Sequence, residues 1–427
     1  YMQLDELPFP RVYNVTDLLQ ELRTEKRYDD SEFLKTFCQY DSAEASKILC
    51  DAVIFKDFSR ICCKDIPNNG KENVLIYTGN LAQNGITTSL MALLNTIDLQ
   101  KRNYYLTYSA EVIRKNKENL LKFPKEISYF PTTGDLNLTI TDRIVRKLFK
   151  HRFIKASIYM KLCGKRVSQD FKRCFGGARI NSVIQFNGYE QEVILKFSAF
   201  QGNKIIFVHS DMQYEIQVRK NQRKDVLRYA YQKYNHVAVV SQGILESTCQ
   251  IAGQTSNVKI GRNIIDNKAI LEKAKAEISL DETTRVFPSR ECFFEAIQSN
   301  GRKIISVGRF SPEKGHERLI DAFYEYRKKN ANDWLIIMGG VSAGDEFEKR
   351  IDQIQRLGLE KNVILLLRVS NPFPIVKACD YFILSSFYEG FGLVLAEADI
   401  LGKPVVSTDI AGARDFMQEH GGVLVEN

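Results

Sequence analysis

No apolar run in this chain of 427 residues approaches the ~20 that a membrane-spanning helix requires. Nothing at its amino end joins a charged start, an apolar middle and a small-residue cleavage site, so no secretory signal is expected. Proline and glycine are sparse, at 10 and 25 residues, which excludes collagen-like and low-complexity chains. The nine cysteines (38, 50, 62, 63, 163, 174, 249, 292 and 379) contain no C-x-x-C pair and no histidine-spaced cluster. Free thiols in a reducing compartment follow, and a soluble, cytoplasmic protein is expected. What is present is an ordinary globular mixture, 44% apolar and 26% charged, long enough for two or three domains.

The net charge of +8 is unevenly spread. Residues 141–173 carry eleven Lys and Arg against only Asp142 and Asp170. Ile144, Val145, Leu148, Phe149, Ile154, Ile158 and Leu162 recur there at helical intervals. A basic amphipathic helix suits an anionic membrane surface or a polyanionic partner, with Lys147, Lys150 and Arg152 as the binding candidates. A solvated basic face fits the same pattern. Nucleic acid is not expected, because no recognised binding motif accompanies the charge.

Helical patterns over residues 16–24 and 31–54 fill the first 56 residues, which hold too few apolar side chains for a core of their own. Residues 57–72 read as a linker. From Asn73, short β-branched runs alternate with helical patterns, the mark of parallel sheets with crossover helices. The first series has strands near 74–78, 104–108, 181–185, 205–209, 237–241 and 258–260, giving a domain over 73–265. The charged, poorly periodic stretch 266–300 separates these from strands near 303–308, 334–338, 363–367, 381–385, 404–408 and 423–425, so a second domain covers 266–427. The expected class is α/β, with two Rossmann-like doubly wound sheets facing a cleft and a short helical segment before them. Ligands of such sheets sit beyond the carboxyl ends of the strands, where strand order reverses.

Chemistry concentrates in the second series. Strand 303–308 delivers Arg309, and Phe310-Ser311-Pro312-Glu313-Lys314-Gly315 leads to a helix near His316 with Leu319, Ala322, Phe323 and Tyr326 as its expected buried stripe. Arg309 and Lys314 can clamp a diphosphate from two sides, a planar fork opposite a point charge. Tyr388-Glu389-Gly390-Phe391-Gly392-Leu393 runs from an apolar strand into an apolar helix. Its glycines permit a tight turn and close ligand approach. The first helical amides near Phe391, Gly392 and Leu393 then form a phosphate site of backbone. Glu389 precedes that site and Glu397 lies roughly two turns along. The two carboxylates can accept from hydroxyls on either side of a diphosphate.

Ser306-Val307-Gly308-Arg309-Phe310, Glu313-Lys314-Gly315, the Glu389-to-Glu397 element and Gly402-Lys403-Pro404-Val405-Val406 together resemble the family-four retaining glycosyltransferases of the GT-B fold, from about residue 73 onward. The resemblance implies that Arg309 and Lys314 bind the nucleotide diphosphate, that Glu397 holds the ribose, that Glu389 contacts the donor sugar, and that amides at Phe391, Gly392 and Leu393 meet the distal phosphate. It also implies that Gly85, in the loop Gly79-Asn80-Leu81-Ala82-Gln83-Asn84-Gly85, lies by donor and acceptor, and that His209 reaches the donor sugar. Arg262-Asn263-Ile264-Ile265-Asp266 is similar to the family's exit from its first domain. Two positions depart from the pattern: Arg368 stands where glycine is usual, and Asp415 where glutamate is common. Aspartates two apart occur nowhere, so the Asp-x-Asp metal pair is missing and no metal or cofactor is expected beyond a nucleotide diphosphate sugar, a UDP-sugar first.

Leu7-Pro8-Phe9-Pro10-Arg11-Val12, Asp17-Leu18-Leu19 and residues 33–46 resemble the carboxyl tail of CDP-glycerol glycerophosphotransferases, the teichoic-acid polymerase type. This second resemblance implies a longer bifunctional polypeptide with a remnant at the front. The GT-B resemblance implies further helices after the last strand, so the second domain reads as truncated, the chain being a fragment or that element lost. The expected activity is transfer of a hexose or N-acetylhexosamine to a teichoic or capsular glycan by a protein peripheral to the inner membrane face. An alternative is a non-catalytic nucleotide- or polyanion-binding module; a phosphorylase lacks its pyridoxal-phosphate lysine here.

Overall fold

The computed structural model describes residues 11–23, 29–37, 44–61, 66–132, 136–340 and 344–427. It divides into two compact units, 1–69 and 70–427.

In the first unit, helices Val15–Arg23 and Ser31–Phe37 are followed by Ala45–Cys50, which runs into a π-helical turn over Asp51–Phe55. Over the helix expected at 31–54 the described elements are Ser31–Phe37, Ala45–Cys50 and this turn; residues 38–43 lie outside the described set, as do 1–10. The segments 7–10 and 38–43 of the glycerophosphotransferase resemblance fall there. Leu22, Leu49, Val53, Ile54 and Phe55 are exposed, and Ala52 is the buried apolar residue among those described.

The second unit holds two sheets. In the first, β1 (Glu72–Tyr77), β2 (Arg102–Ser109), β3 (Ser128–Thr132), β4 (Ser182–Gln185), β5 (Asn203–Val208), β6 (His236–Val239) and β7 (Val258–Ile260) are ordered β3-β2-β1-β4-β5-β6-β7. All pairs are parallel, with Val74 between Tyr104 and Ser182. The second contains β8 (Arg285–Phe287), β9 (Lys303–Val307), β10 (Trp334–Gly339), β11 (Val363–Leu367), β12 (Tyr381–Leu384), β13 (Val405–Thr408) and β14 (Val423–Val425). Its order is β14-β13-β12-β9-β10-β11-β8, and β8 alone runs antiparallel. Order reverses between β1 and β4 in one sheet and between β9 and β12 in the other.

The central strands are apolar because helices cover both faces. All five residues of β11 are buried, and Ile305, Ile336, Ile364 and Phe382 meet Leu395 and Phe416 in one core. Two strands lack sequence readings. β3 is an edge strand containing Pro131, which removes a ladder donor and breaks the pattern. The poorly periodic stretch 266–300, read as separating the two strand series, folds as helix Asn267–Lys273, β8 and helix Arg290–Gln298. Helix His316–Arg327 buries His316, Leu319, Ile320 and Phe323, while Ala322 is exposed.

Candidate functional site

The carboxyl ends of β9 and β12, neighbours at the second reversal, carry the residues expected to act. After β9, the amides of Gly308 and Phe310 donate to the Met338 and Gly340 carbonyls at 2.9 Å, which fastens the loop to β10. Phe310 is buried against the rings of His316 and Phe347. A 3-10 turn over Pro312–Lys314 ends at Gly315, φ +63°, where a Cβ would collide with the Ser385 carbonyl. This close approach brings the loop onto the exit of β12. Arg318 secures the same exit by donating to the Ser385 carbonyl at 2.6 and 2.8 Å and to that of Ser386 at 2.8 Å, with its guanidinium over the Phe387 ring.

Lys314 Nζ forms an ion pair with Glu389 Oε1, and Ser386 Oγ donates to the same oxygen at 3.0 Å. The two side chains are 15% and 17% exposed, shielded enough for the charges to feel one another strongly. Arg309, half-exposed, turns instead to Glu313, Nη2 to Oε1 3.4 Å. Each cation expected at a diphosphate thus has a carboxylate partner of its own.

The glycine-bearing turn follows. Gly392 takes φ +72° and caps helix Leu393–Ile400, which places the free amino end of that helix beyond the sheet. Because the helix starts only at Leu393, Glu397 lies one turn into it, not two. Its carboxyl is raised to about 7 by burial, against a weaker pull from Lys273. Gly85, first residue of helix Gly85–Thr96 and capped by Asn84, packs against Leu393: a Cβ there would sit 3.2 Å from Leu393 Cδ1.

His209 follows β5 and is buried between Phe186 and Phe207. Its Nε2 donates to the Phe186 carbonyl at 2.7 Å, so Nδ1 is left as an acceptor, and burial holds the ring neutral with a pKa down at about 4. The backbone of Gly390 lies against the His209 carbonyl so closely that any Cβ would overlap it. Ser241 Oγ donates to the Gly390 carbonyl at 2.6 Å, Asp415 accepts from the Gly243 amide at 2.9 Å, and Arg262 pairs with Glu419. The departure at Asp415 therefore has a place in joining the two sheets' domains. Arg368 holds φ +64°, a conformation natural to the glycine expected there.

The structure thus gathers Lys314, Glu389, Gly392, Leu393 and Gly85, with His209 abutting the turn through Gly390. Lys147, Lys150 and Arg152 lie elsewhere, on helix Ile140–Lys150 and the turn after it; Lys150 pairs with Glu192 at 3.2 Å and Arg152 reaches the Lys220 carbonyl at 3.4 Å. Sequence reasoning missed a polar knot beside the site. Buried Glu215 accepts from Asn221 at 2.6 Å, Tyr388 at 3.1 Å and Arg219 at 3.4 Å, and the Tyr214 and Tyr388 rings lie 3.8 Å apart. Its one sequence signal is the opposite charges of Glu215 and Arg219 four residues apart.

Comparison with known proteins bears on this arrangement. Residues 290–427 match the family model of glycosyl transferases group 1. The matched segment contains β9 to β14 and every residue expected at the donor site except Gly85 and His209. The chain is 31% identical over 206 residues to the N-acetylgalactosamine-N,N'-diacetylbacillosaminyl-diphospho-undecaprenol 4-alpha-N-acetylgalactosaminyltransferase of Campylobacter jejuni, covering 48% of this chain and 50% of that protein. It is 35% identical over 123 residues to the capsular polysaccharide biosynthesis glycosyltransferase CapM of Staphylococcus aureus, covering 28% and 31%. It therefore spans half or less of the length of these curated relatives. Among solved structures, Anabaena Alr3699/HepE in complex with UDP and glucose superposes with a TM-score of 0.57 at 18% identity over 83% of this chain and 86% of that one. The fold is GT-B.

Proposed function

We propose that the chain is a glycosyltransferase that moves a hexose or N-acetylhexosamine from a nucleotide diphosphate sugar, a UDP-sugar first, to a teichoic or capsular glycan. The observation that carries this reading is the joining of Lys314, Glu389 and the free amino end of helix Leu393–Ile400 at a strand-order reversal, with Glu397 one turn further on. Breaking a glycosyl–phosphate bond leaves negative charge on the departing nucleoside diphosphate; Lys314, Arg309 and the helix amides supply preorganised positive charge for it. Glu397 is suited to ribose hydroxyls, and Glu389 to the sugar once the diphosphate takes Lys314. Neutral His209 has its Nδ1 available to accept from a sugar hydroxyl. The match to the group 1 model, and the likeness to a capsular polysaccharide biosynthesis glycosyltransferase and to an N-acetylgalactosaminyltransferase, support the class of reaction.

Retention of configuration belongs to the proposal through the family resemblance. Metal independence belongs to it because no Asp-x-Asp pair occurs in the sequence. The test is release of nucleoside diphosphate from UDP-, GDP- and CDP-sugars, with and without poly(glycerol phosphate) or a capsular glycan, in EDTA, with Glu389→Ala as control. Release that needs one donor and one acceptor, survives chelation and vanishes in the variant is expected. Donor binding with no release on any acceptor would favour the binding-module alternative.

A further inference from the structure

Helix Ile140–Lys150 and helix Ala156–Phe175 pack antiparallel, with Asp142 against Cys163 and Arg166 at one end and the Phe149 ring stacked on Tyr159 at the other. Phe149, Tyr159, Met160, Cys163 and Val167 form the buried side of the pair. That burial leaves a second apolar set uncovered. Ile140, Ile144 and Leu148 follow one another at four-residue steps on the first helix, Ile158 and Leu162 do so on the second, and Phe153 stands on the turn between them; all six are exposed, Ile140 at 79% and Phe153 at 76%. Six large apolar side chains thus stand exposed within 23 residues of one helical hairpin, which water alone does not favour.

The turn is a built feature. Arg223 lies over the Phe149 ring at 4.4 Å and donates to the Phe149 and Ile154 carbonyls at 2.5 and 2.9 Å. Arg223 also pairs with Asp225, whose other role is to accept from the Ala156 amide at 2.7 Å and so open the second helix. The backbone on either side of Phe153 is thus tied by three hydrogen bonds while its ring stays exposed.

Exposed cations flank the apolar row. Arg143 and Lys147 neighbour Ile140 and Ile144 on the first helix, and Lys161 and Lys165 neighbour Ile158 and Leu162 on the second. A soluble polyanion would use the charges and leave the apolar side chains wet. A bilayer with anionic headgroups uses both, because the apolar groups enter the acyl boundary while Lys and Arg reach back to the phosphates. We infer that this helical hairpin docks on an anionic lipid surface, with Phe153, Ile144 and Leu162 inserting and Lys147, Lys161 and Lys165 engaging headgroups.

The test is co-flotation of the full chain, without donor, with vesicles of phosphatidylcholine alone or mixed with phosphatidylglycerol; poly(glycerol phosphate) serves as a soluble polyanion. Binding to the mixed vesicles and none to the neutral ones is expected. Ile144→Ser, Phe153→Ser and Leu162→Ser together should weaken it by at least about tenfold. Replacing Lys147, Lys161 and Lys165 by Gln should weaken it roughly fivefold per residue. Unchanged thermal unfolding checks that the variants fold, since every changed side chain is exposed. Mixed vesicles that fail to bind the parent, or bind the serine variant equally well, would overturn the inference. So would polymer that binds the parent as tightly as vesicles do and is indifferent to the serine changes; that result would assign the patch to a soluble polyanion.

Discussion

Lys314 and Glu389, on loops that follow two neighbouring strands of the second sheet, close an ion pair across the mouth of the candidate site. Ser386 adds a hydrogen bond to the same carboxylate, and Ser385 Oγ donates to the Lys314 carbonyl at 2.9 Å. On the proposed function, a diphosphate arriving here would replace one carboxylate with a stronger anion and free Glu389 to turn to the sugar. Lys314→Ala should therefore slow turnover roughly 10–100-fold, the value of one charge-assisted contact to a leaving group. Steady-state kinetics checks this, and a Glu389→Gln, Lys314→Ala double-mutant cycle should show strong non-additivity.

Glu397 gives a pH signature. Burial raises its carboxyl to about 7, so it is largely protonated at pH 6 and ionised at pH 8. If the carboxylate accepts from ribose hydroxyls, the Kd for UDP should rise about tenfold between pH 8 and pH 6, following the ionised fraction. In Glu397→Gln the Kd should be weaker and independent of pH over that range. For stability the sign is opposite: a raised carboxyl favours the folded state at acid pH and costs it as pH rises from about 4.5 through 7.

His209 acts on stability in the other direction. Its folded pKa is about 4 against 6.5 unfolded, so the unfolded chain binds more protons between those values. Stability should fall by about 3 kcal/mol from this group as pH drops from 6.5 to 4. His209→Gln keeps a donor for the Phe186 carbonyl and should remove that portion of the slope. Urea midpoints across the range test it, and an unaltered slope would mean the ring charges at no cost.

Gly390 has no room for a side chain beside the His209 carbonyl. Gly390→Ala should force the two loops apart, destabilise the chain by about 1–3 kcal/mol and weaken the Ser241 contact to the Gly390 carbonyl. Thermal unfolding together with donor titration checks both effects.

What could be read in the sequence follows physical lines. β9 to β13 announce themselves because strands buried on both faces are continuous apolar runs, and the Gly390–Gly392 turn because a helix amino end beyond such a strand needs glycine. Arg309, Lys314, Glu389 and Glu397 are visible for the same reason, being chemistry at fixed offsets from those strands. β3 and β8 were hidden because edge strands need little apolar alternation, and Pro131 disguises the first of them. The pairing of Lys314 with Glu389, and of Arg309 with Glu313, depends on loop paths that spacing does not encode. The knot of Glu215, Arg219, Tyr388 and Tyr214 joins positions more than 170 residues apart and left no motif. The basic helix was legible as amphipathic and charged, but that its apolar row faces outward appears only when Phe149 and Tyr159 are seen to fill the core instead.

The central claim is that this site holds a nucleoside diphosphate sugar through Lys314, the amino end of helix Leu393–Ile400 and Glu397. Isothermal titration of UDP and UDP-sugars into the full chain in EDTA, repeated on Lys314→Ala and Glu397→Ala, tests it most directly. The account predicts one-to-one binding without metal that falls at least about tenfold in each variant while the fold is retained. Absence of binding by UDP-, GDP- and CDP-sugars alike, or binding untouched by both substitutions, would contradict it.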